Sequence, residues 1–297
     1  MNERTRGLVV DIAVYAAAFG IALIPYALTD GMLASTAVFT AVATALIFAA
    51  SVFFSDVSVY DPYWSVAPPV MAAANMVRYS LYNVNSYIMI AMVCIWSARL
   101  TANWYYTYRG LGHEDWRYSM YREKCSPVVF QLLSLVGFHF VPTAVVYAGL
   151  VSGLLSMREE RFSVLSLVGI AVMAGAVMLE HVSDTAIHRF IRENSSVKRT
   201  CDVSVWKYSR HPNYLGEMSF WTGMFIYYAT LCPGRWYLGL EFITIIMLFL
   251  TVSVPMMERH NLERRSDYAD YMKRTSAVLI LPNRKRNEEQ ESKEIKA

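Results

Sequence analysis

The sequence predicts an all-α fold, a polytopic transmembrane helical bundle of about seven to eight spans. Composition is the first reason: hydrophobic residues make up 55% of the chain and charged residues 17%, where a soluble domain carries roughly a quarter charged. Length is the second, because apolar runs of about 20 residues, enough to cross a hydrocarbon core of roughly 30 Å, recur along the chain. The third is that basic residues concentrate in alternate connections.

Clean runs lie at about 8–28, 32–54, 86–107, 128–151, 163–187 and 236–257. Two more are irregular. The run at 62–82 contains Pro62, Pro68, Pro69, Asn75 and Arg78, and the run at 214–232 is short and starts among polar residues. Both still read as spans, because polar groups at membrane depth are tolerated where they face protein or a cavity. With eight crossings, one set of connections holds Arg4 and Arg6, then Arg109, Arg117, Arg122 and Lys124, then Arg189, Arg192, Lys198, Arg199, Lys207 and Arg210, and last the basic C-terminus. The opposite set holds Arg158, Arg161 and Arg235, with Arg78 near a boundary. The positive-inside rule then places both termini, and nearly all the polar chemistry, in the cytoplasm. The expectation is an integral multi-pass protein of a bacterial inner membrane or the endoplasmic reticulum.

The first run is too long for a secretory signal and lacks a clear cleavage site, so it reads as a retained helix. Residues 1–58 form N-terminal transmembrane helices, 59–283 the region that carries the chemistry, and 284–297 a charged tail expected to be disordered. Cys94, Cys125, Cys201 and Cys232 are scattered with no CxxC pair, which argues against a disulfide framework and a zinc site. The net charge of +3 sits in cytoplasmic loops, where basic residues meet anionic lipid headgroups or an anionic cofactor. Nucleic acid is not implied. Gly110 and Gly112 belong to no dinucleotide-binding G-x-G-x-x-G, Walker A and HExxH motifs are absent, and the lone His139 reads as a satisfied core residue.

Chemistry begins near the end of the 163–187 run. Glu180, Asp184, His188 and Arg192 recur every four residues and share one helix face. A solvated helix end would give the same spacing, but Glu180, His181 and Ser183 begin before the helix has left the headgroup region, where ionisable groups are functional candidates. Next comes Tyr208-Ser209-Arg210-His211-Pro212-Asn213-Tyr214-Leu215-Gly216-Glu217, dense in polar groups within an apolar chain. Pro212 suits a first helical turn, so a helix starts near Asn213, its amides facing anions with Arg210 and His211 beside them. Asn213 and Glu217 share a face, an amide and carboxylate pair suited to a carboxamide or ribose and equally to a helix cap. After the last run, Glu258, His260, Tyr268 and Tyr271 accompany Arg259, Arg264 and Arg265; a cationic membrane-surface helix explains the arginines but not the others. Upstream, Tyr60-Asp61-Pro62-Tyr63-Trp64 opens the 62–82 run, and Trp96, Arg99 and Asn103 share a face at the end of the 86–107 run. Glu114-Asp115-Trp116-Arg117-Tyr118 follows in the next loop.

Ser209 to Glu217, Asp61-Pro62-Tyr63-Trp64-Ser65, Arg99-Leu100-x-x-Asn103, Asp115-Trp116-Arg117-Tyr118 and Glu180-x-x-x-Asp184 together resemble a membrane family of uncharacterised proteins related to steroid 5-alpha-reductases, the DUF1295-type branch. The resemblance covers roughly residues 55–283. It extends more distantly to sterol C14-reductases, which share an Arg-His-Pro-Asn-Tyr run and use NADPH. Isoprenylcysteine carboxyl methyltransferases share an Arg-His-Pro element and use S-adenosylmethionine. The reductase resemblance implies a cofactor cavity on the cytoplasmic side, NADPH within it, and a lipophilic small molecule entering from the bilayer. Asp184, Asn213 and Glu217 match the family's cofactor-binding residues, and His260 falls near a cofactor-contacting histidine. Arg192 and Arg210 are the added phosphate partners, since arginine grips phosphate bidentately. The implied reaction is hydride transfer to the beta carbon of an enone, aided by an acid at the carbonyl oxygen. Asp61 best matches the position of the steroid reductases' glutamate; their tyrosine falls near Trp96, and Tyr60 or Tyr63 takes its place. The alternative is a membrane methyltransferase.

Overall fold

The computed structural model describes residues 2–194 and 199–283; Lys198 and the charged tail from 284 onward lie outside them. Among the described residues the chain is helical, with no strand and one isolated parallel bridge between Ser209 and Ser276. In order the helices are α1 (Glu3–Leu28), α2 (Met32–Phe54), α3 (Tyr63–Arg78), α4 (Val84–Thr107), α5 (Trp116–Lys124), α6 (Pro127–Leu133), α7 (Val141–Ser156), α8 (Ser166–Glu193), α9 (Pro212–Leu231), α10 (Ile243–Leu248), α11 (Val254–Arg264) and α12 (Tyr268–Arg274). A π turn at Ser134–Phe140 joins α6 to α7, and another at Phe249–Ser253 joins α10 to α11.

Among the described residues, six helical segments are long and apolar enough to cross a membrane: Glu3–Leu28, Met32–Phe54, Val84–Thr107, Pro127–Ser156, Ser166–Glu193 and Pro233–Arg264. The protein is thus a multi-pass membrane protein of the all-α class. The irregular runs become α3 and α9, which fall outside that set.

The chain divides into two compact units, Met1–Val164 with Tyr228–Glu241 and Leu165–Tyr227 with Phe242–Ala297. The first is an antiparallel bundle. Arg4 donates to the Tyr105 carbonyl and Tyr108 to Asp11 at 2.7 Å, so the start of α1 meets the end of α4. At the opposite end Arg78 donates to the carbonyls of Tyr26, Ala27 and Thr29, capping α1, while Asn83 and Ser86 donate to the Met157 carbonyl just past α7 at 2.8 and 3.1 Å. α3 therefore runs from one end of the unit to the other, although its 16 residues span only about 24 Å. Arg4, Arg6, Arg109, Arg117 and Arg122 belong to the first end, and Arg78, Arg158, Arg161 and Arg235 to the second.

α2 ties this bundle together with a polar ladder. Thr36, Thr40 and Thr44 recur every four residues on one face. Asn75 donates to Thr36 at 2.8 Å, Thr40 to the Met71 sulfur at 2.9 Å, and Thr44 to Tyr63 and Thr143, both at 3.2 Å. Hydroxyls of this kind join helices where lipid supplies no hydrophobic drive. His139, turned inward within the π turn, bonds Ser51 at 3.1 Å and the Ser134 carbonyl at 2.8 Å. It is the satisfied core residue that its isolation in the sequence suggested.

The second unit is organised by a close antiparallel contact between α8 and α9. A β-carbon on Gly169 would stand 2.6 Å from the Tyr227 nitrogen, and one on Gly216 would stand 2.3 Å from Glu180 Cγ. Only glycine admits this approach of one helix to the other. Gly169, Met173, Ala176 and Glu180 form the matching stripe on α8, all buried. α10, α11 and α12 complete the unit, where Met218, Val254 and Val278 form a small apolar cluster beneath Tyr214 and Phe249.

Candidate functional site

The polar motif lies where α9 begins, at Pro212. A short extended segment before it is bound to the chain beyond α12. Arg210 N donates to Ser276 O at 2.8 Å, Ser209 Oγ to Val278 O at 2.6 Å and Leu281 N to Tyr208 O at 3.2 Å. Ahead of the motif, Trp206 Nε1 donates to the Ser183 carbonyl of α8 at 2.9 Å. The Tyr271 hydroxyl spans both neighbours, donating to the carbonyls of Trp206 and Ser209. The motif is held in place before any ligand is considered.

Arg210 is the main strut. Its Nε donates to Glu258 at 2.7 Å, and its Nη1 to the carbonyls of Met272 and Thr275 at 3.0 and 2.5 Å, closing the end of α12. With Nη2 also against Glu258, one of its five N–H groups is left. Glu258 is shared, since His211 Nε2 lies 3.5 Å from the same carboxylate oxygen. The His211 ring stacks on Tyr214 at 5.1 Å between centroids and 12° between planes. Arg210, His211, Tyr214 and Glu258, chosen from the sequence, are one assembly.

The α8 residues meet the other side of the same helix start. Glu180 is fully buried against Gly216, and Asp184 is buried one turn further on. Because α8 and α9 run antiparallel, four residues past Glu180 and three residues before Gly216 reach nearly the same height, so Asp184 stands level with Asn213. Glu217 is buried and accepts from Trp221 Nε1 at 2.9 Å. The Asn213 Oδ1 is buried and has no hydrogen-bond partner among the described residues. His188 is half-buried on α8, and Arg192 is exposed. His260 sits half-buried on α11, where Arg264 approaches its Nε2 at 3.2 Å. Tyr268 and Tyr271 are buried together with ring centroids 5.7 Å apart, and burial pushes the Tyr268 hydroxyl up to about 12 and raises Tyr271 as well.

In the first unit Asp61 is the centre of a second polar assembly. It follows a short 3-10 turn, Val57–Tyr60, whose start is capped by Asp56 accepting from Ser58 N at 2.9 Å. Asp56 also accepts from Gly112 N at 2.7 Å, and Glu114 accepts from Val57 N at 3.0 Å and is clasped by Arg122. These bonds stitch the turn to the loop before α5 and bring Tyr118 to Asp61, where its hydroxyl donates at 2.7 Å. Burial raises the Asp61 pKa to about 6, opposed by the Arg117 charge and the Tyr118 bond. Arg117 is itself raised by Tyr118, Asp115 and Asp61, against burial.

Tyr60 and Tyr63 lie just behind, fully buried, with rings 5.5 Å apart. The Tyr60 hydroxyl is bonded to Thr143 at 2.8 Å, and Tyr63 donates to the Thr40 carbonyl at 3.2 Å. On α4, Trp96 is fully buried while Arg99 and Asn103 are half-buried, and the Asn103 Oδ1 is buried without a hydrogen-bond partner among the described residues.

Sequence reading placed Tyr118 in a motif without giving it a role, and did not select Trp206 or the buried Asp11–Tyr108 pair. Asp11 carried a usable signal, a carboxylate inside an apolar run. Trp206 carried none, because its role is a bond to a backbone carbonyl.

Helix content, six membrane-length segments and a polar assembly at a helix start define a polytopic helical membrane protein. Residues 47–275 match the family model described as "Protein of unknown function (DUF1295)", and the chain belongs to that family. It is similar to Uncharacterized protein C594.04c of Schizosaccharomyces pombe, at 25% identity over 206 residues, covering 60% of this chain and 59% of that protein. The chain thus spans about three fifths of the relative's length. No solved structure matches.

Proposed function

We propose that the protein is a membrane-embedded, NADPH-dependent reductase of a carbon–carbon double bond in a lipid, steroid or isoprenoid-like enone, with both termini cytoplasmic. The observation that carries this reading is the start of α9. A long helix begins there, its Asn213 carboxamide oxygen is buried with no hydrogen-bond partner among the described residues, and Asp184, Glu217 and the Arg210–Glu258–His211 assembly surround the same turn. A helix N-terminus favours phosphate, and an unused buried acceptor favours a ligand that brings its own N–H or O–H donor.

Those residues fit the cofactor. Asp184, Asn213 and Glu217 would hold its hydroxyl and amide groups, with His211 and Tyr214 offering a stacked surface beside them. Arg210 would act mainly by positioning, since most of its N–H groups are engaged within the protein. When bound, NADPH would supply the hydride. In the first unit, Asp61 has the chemistry of a proton donor, because its raised pKa lets it carry a proton near pH 6 and Tyr118 and Arg117 adjust that value.

Thermal unfolding of the detergent-purified chain with NADPH, NADH and S-adenosylmethionine tests the reading, since a ligand that binds only the folded state raises Tm. A shift with NADPH is expected. A shift with S-adenosylmethionine alone would replace the reductase with a methyltransferase.

A further inference from the structure

We propose that the second unit carries a phosphate-binding groove at the end of α12, which adjoins the assembly at the start of α9 through Arg210. A cavity of about 240 Å³ is lined by Arg210, Lys273, Arg274, Thr275 and Ser276, together with apolar residues including Leu281. Its chemistry is cationic and donor-rich. Two polar atoms on its lining residues have no internal use: the Thr275 Oγ1, on a residue only 4% exposed, and the buried Arg274 Nε, neither with a hydrogen-bond partner among the described residues. A buried hydroxyl without a partner is costly unless something else meets it.

The ion pairs around the groove leave it able to accept an anion. Lys273 bonds Asp270 at 2.9 Å, but both side chains are more than three quarters exposed, so exchanging that partner costs little. Arg274 bonds Asp202 at 2.9 Å, and Arg199 reaches the same carboxylate at 3.7 Å, which leaves one positive charge in excess. Arg210 is fixed by Glu258 and contributes field rather than a new bond. A tetrahedral oxyanion supplies what these groups lack: an acceptor for the Thr275 hydroxyl and for Arg274 Nε, and a charge for Lys273. The leucine and proline on the rim suit an esterified phosphate, so the ligand class is a phosphate group, free or on a lipid headgroup.

The experiment uses the full chain in detergent and measures thermal unfolding with inorganic phosphate, with short-chain phosphatidic acid, and with phosphatidylcholine of the same chain length at matched ionic strength. Phosphate or phosphatidic acid raises Tm, and phosphatidylcholine does not. Thr275→Val, which keeps the shape and removes the hydroxyl, and Lys273→Gln, an exposed site that leaves the fold alone, each weaken the phosphate effect about tenfold while the ligand-free Tm holds. A stronger response to phosphatidic acid than to phosphate assigns the groove to lipid, and equal responses assign it to free phosphate. Absence of any response in the parent, or a response in both variants equal to the parent's, overturns the proposal. The NADPH-dependent shift is measured in the same variants; its retention shows that the groove and the α9 site stand or fall separately.

Discussion

Two regions of the molecule bury polar side chains, and they treat them differently. Along α2, Thr36, Thr40 and Thr44 each bond a backbone carbonyl one turn back and a side chain from another helix, and His139 uses both ring nitrogens. At the start of α9, Asn213 keeps a buried oxygen that nothing in the described chain meets. Burial of a polar group therefore does not mark a site. The ladder spends its hydrogen bonds on holding helices together, whereas the α9 turn is built by Arg210, Glu258 and Tyr271 and leaves an acceptor free at its centre.

The largest effect is expected at the glycine contact that lets α9 lie against α8. Gly169→Ala puts a methyl within 2.7 Å of backbone atoms of Gly223 and Tyr227, and it is expected to cost about 3 kcal/mol or more, read as a lowered Tm and poor yield in detergent. A Gly169→Ala protein of unchanged Tm would mean that α8 and α9 are not in this close contact. Next is Glu258→Ala. With side chains 10% and 16% exposed, removing the carboxylate strands Arg210 as a nearly buried charge, at a cost of about 3 kcal/mol. Glu258→Gln recovers part of that, because it still offers an oxygen to Arg210.

Asp61 predicts a pH dependence. Its folded pKa of about 6 lies above the ordinary aspartate value of 3.8, so the folded state holds the proton more tightly than the unfolded chain. The stabilisation is fully present below about pH 4, is lost as pH rises through 6, and amounts to about 3 kcal/mol at most. Unfolding measured between pH 4 and 7 is expected to show this loss in the parent protein and not in Asp61→Asn. The smallest effect belongs to the ladder. Thr44→Val removes its bonds to Tyr63 and Thr143 and is expected to cost roughly 0.6 kcal/mol, since bonds between membrane helices are individually modest.

Much of the fold was readable from hydropathy because the bilayer imposes a fixed length on each helix. The hydrophobic runs became helices in the expected order, and the proline-rich one, α3, still traverses its unit because Arg78 in its last turn caps α1. The Arg210–His211–Glu258 grouping was readable only in part. Residue type marked Arg210 and Glu258 as chemistry, while spacing gave no hint that residues 48 apart share an ion pair. The Asp61–Tyr118 bond was hidden for the same reason, since it depends on loop bonds from Asp56 and Glu114 that have no periodic signature.

The central claim is that the α9 turn is open for a cofactor. Titration of NADPH into the purified chain, followed by nicotinamide fluorescence, is the direct measurement, with Asn213→Ala beside the parent. Because the Asn213 oxygen bonds nothing within the described protein, the variant should keep the parent's Tm and lose NADPH affinity by about tenfold or more. Equal NADPH affinity in the two proteins, or a variant that unfolds without ligand, would contradict the account.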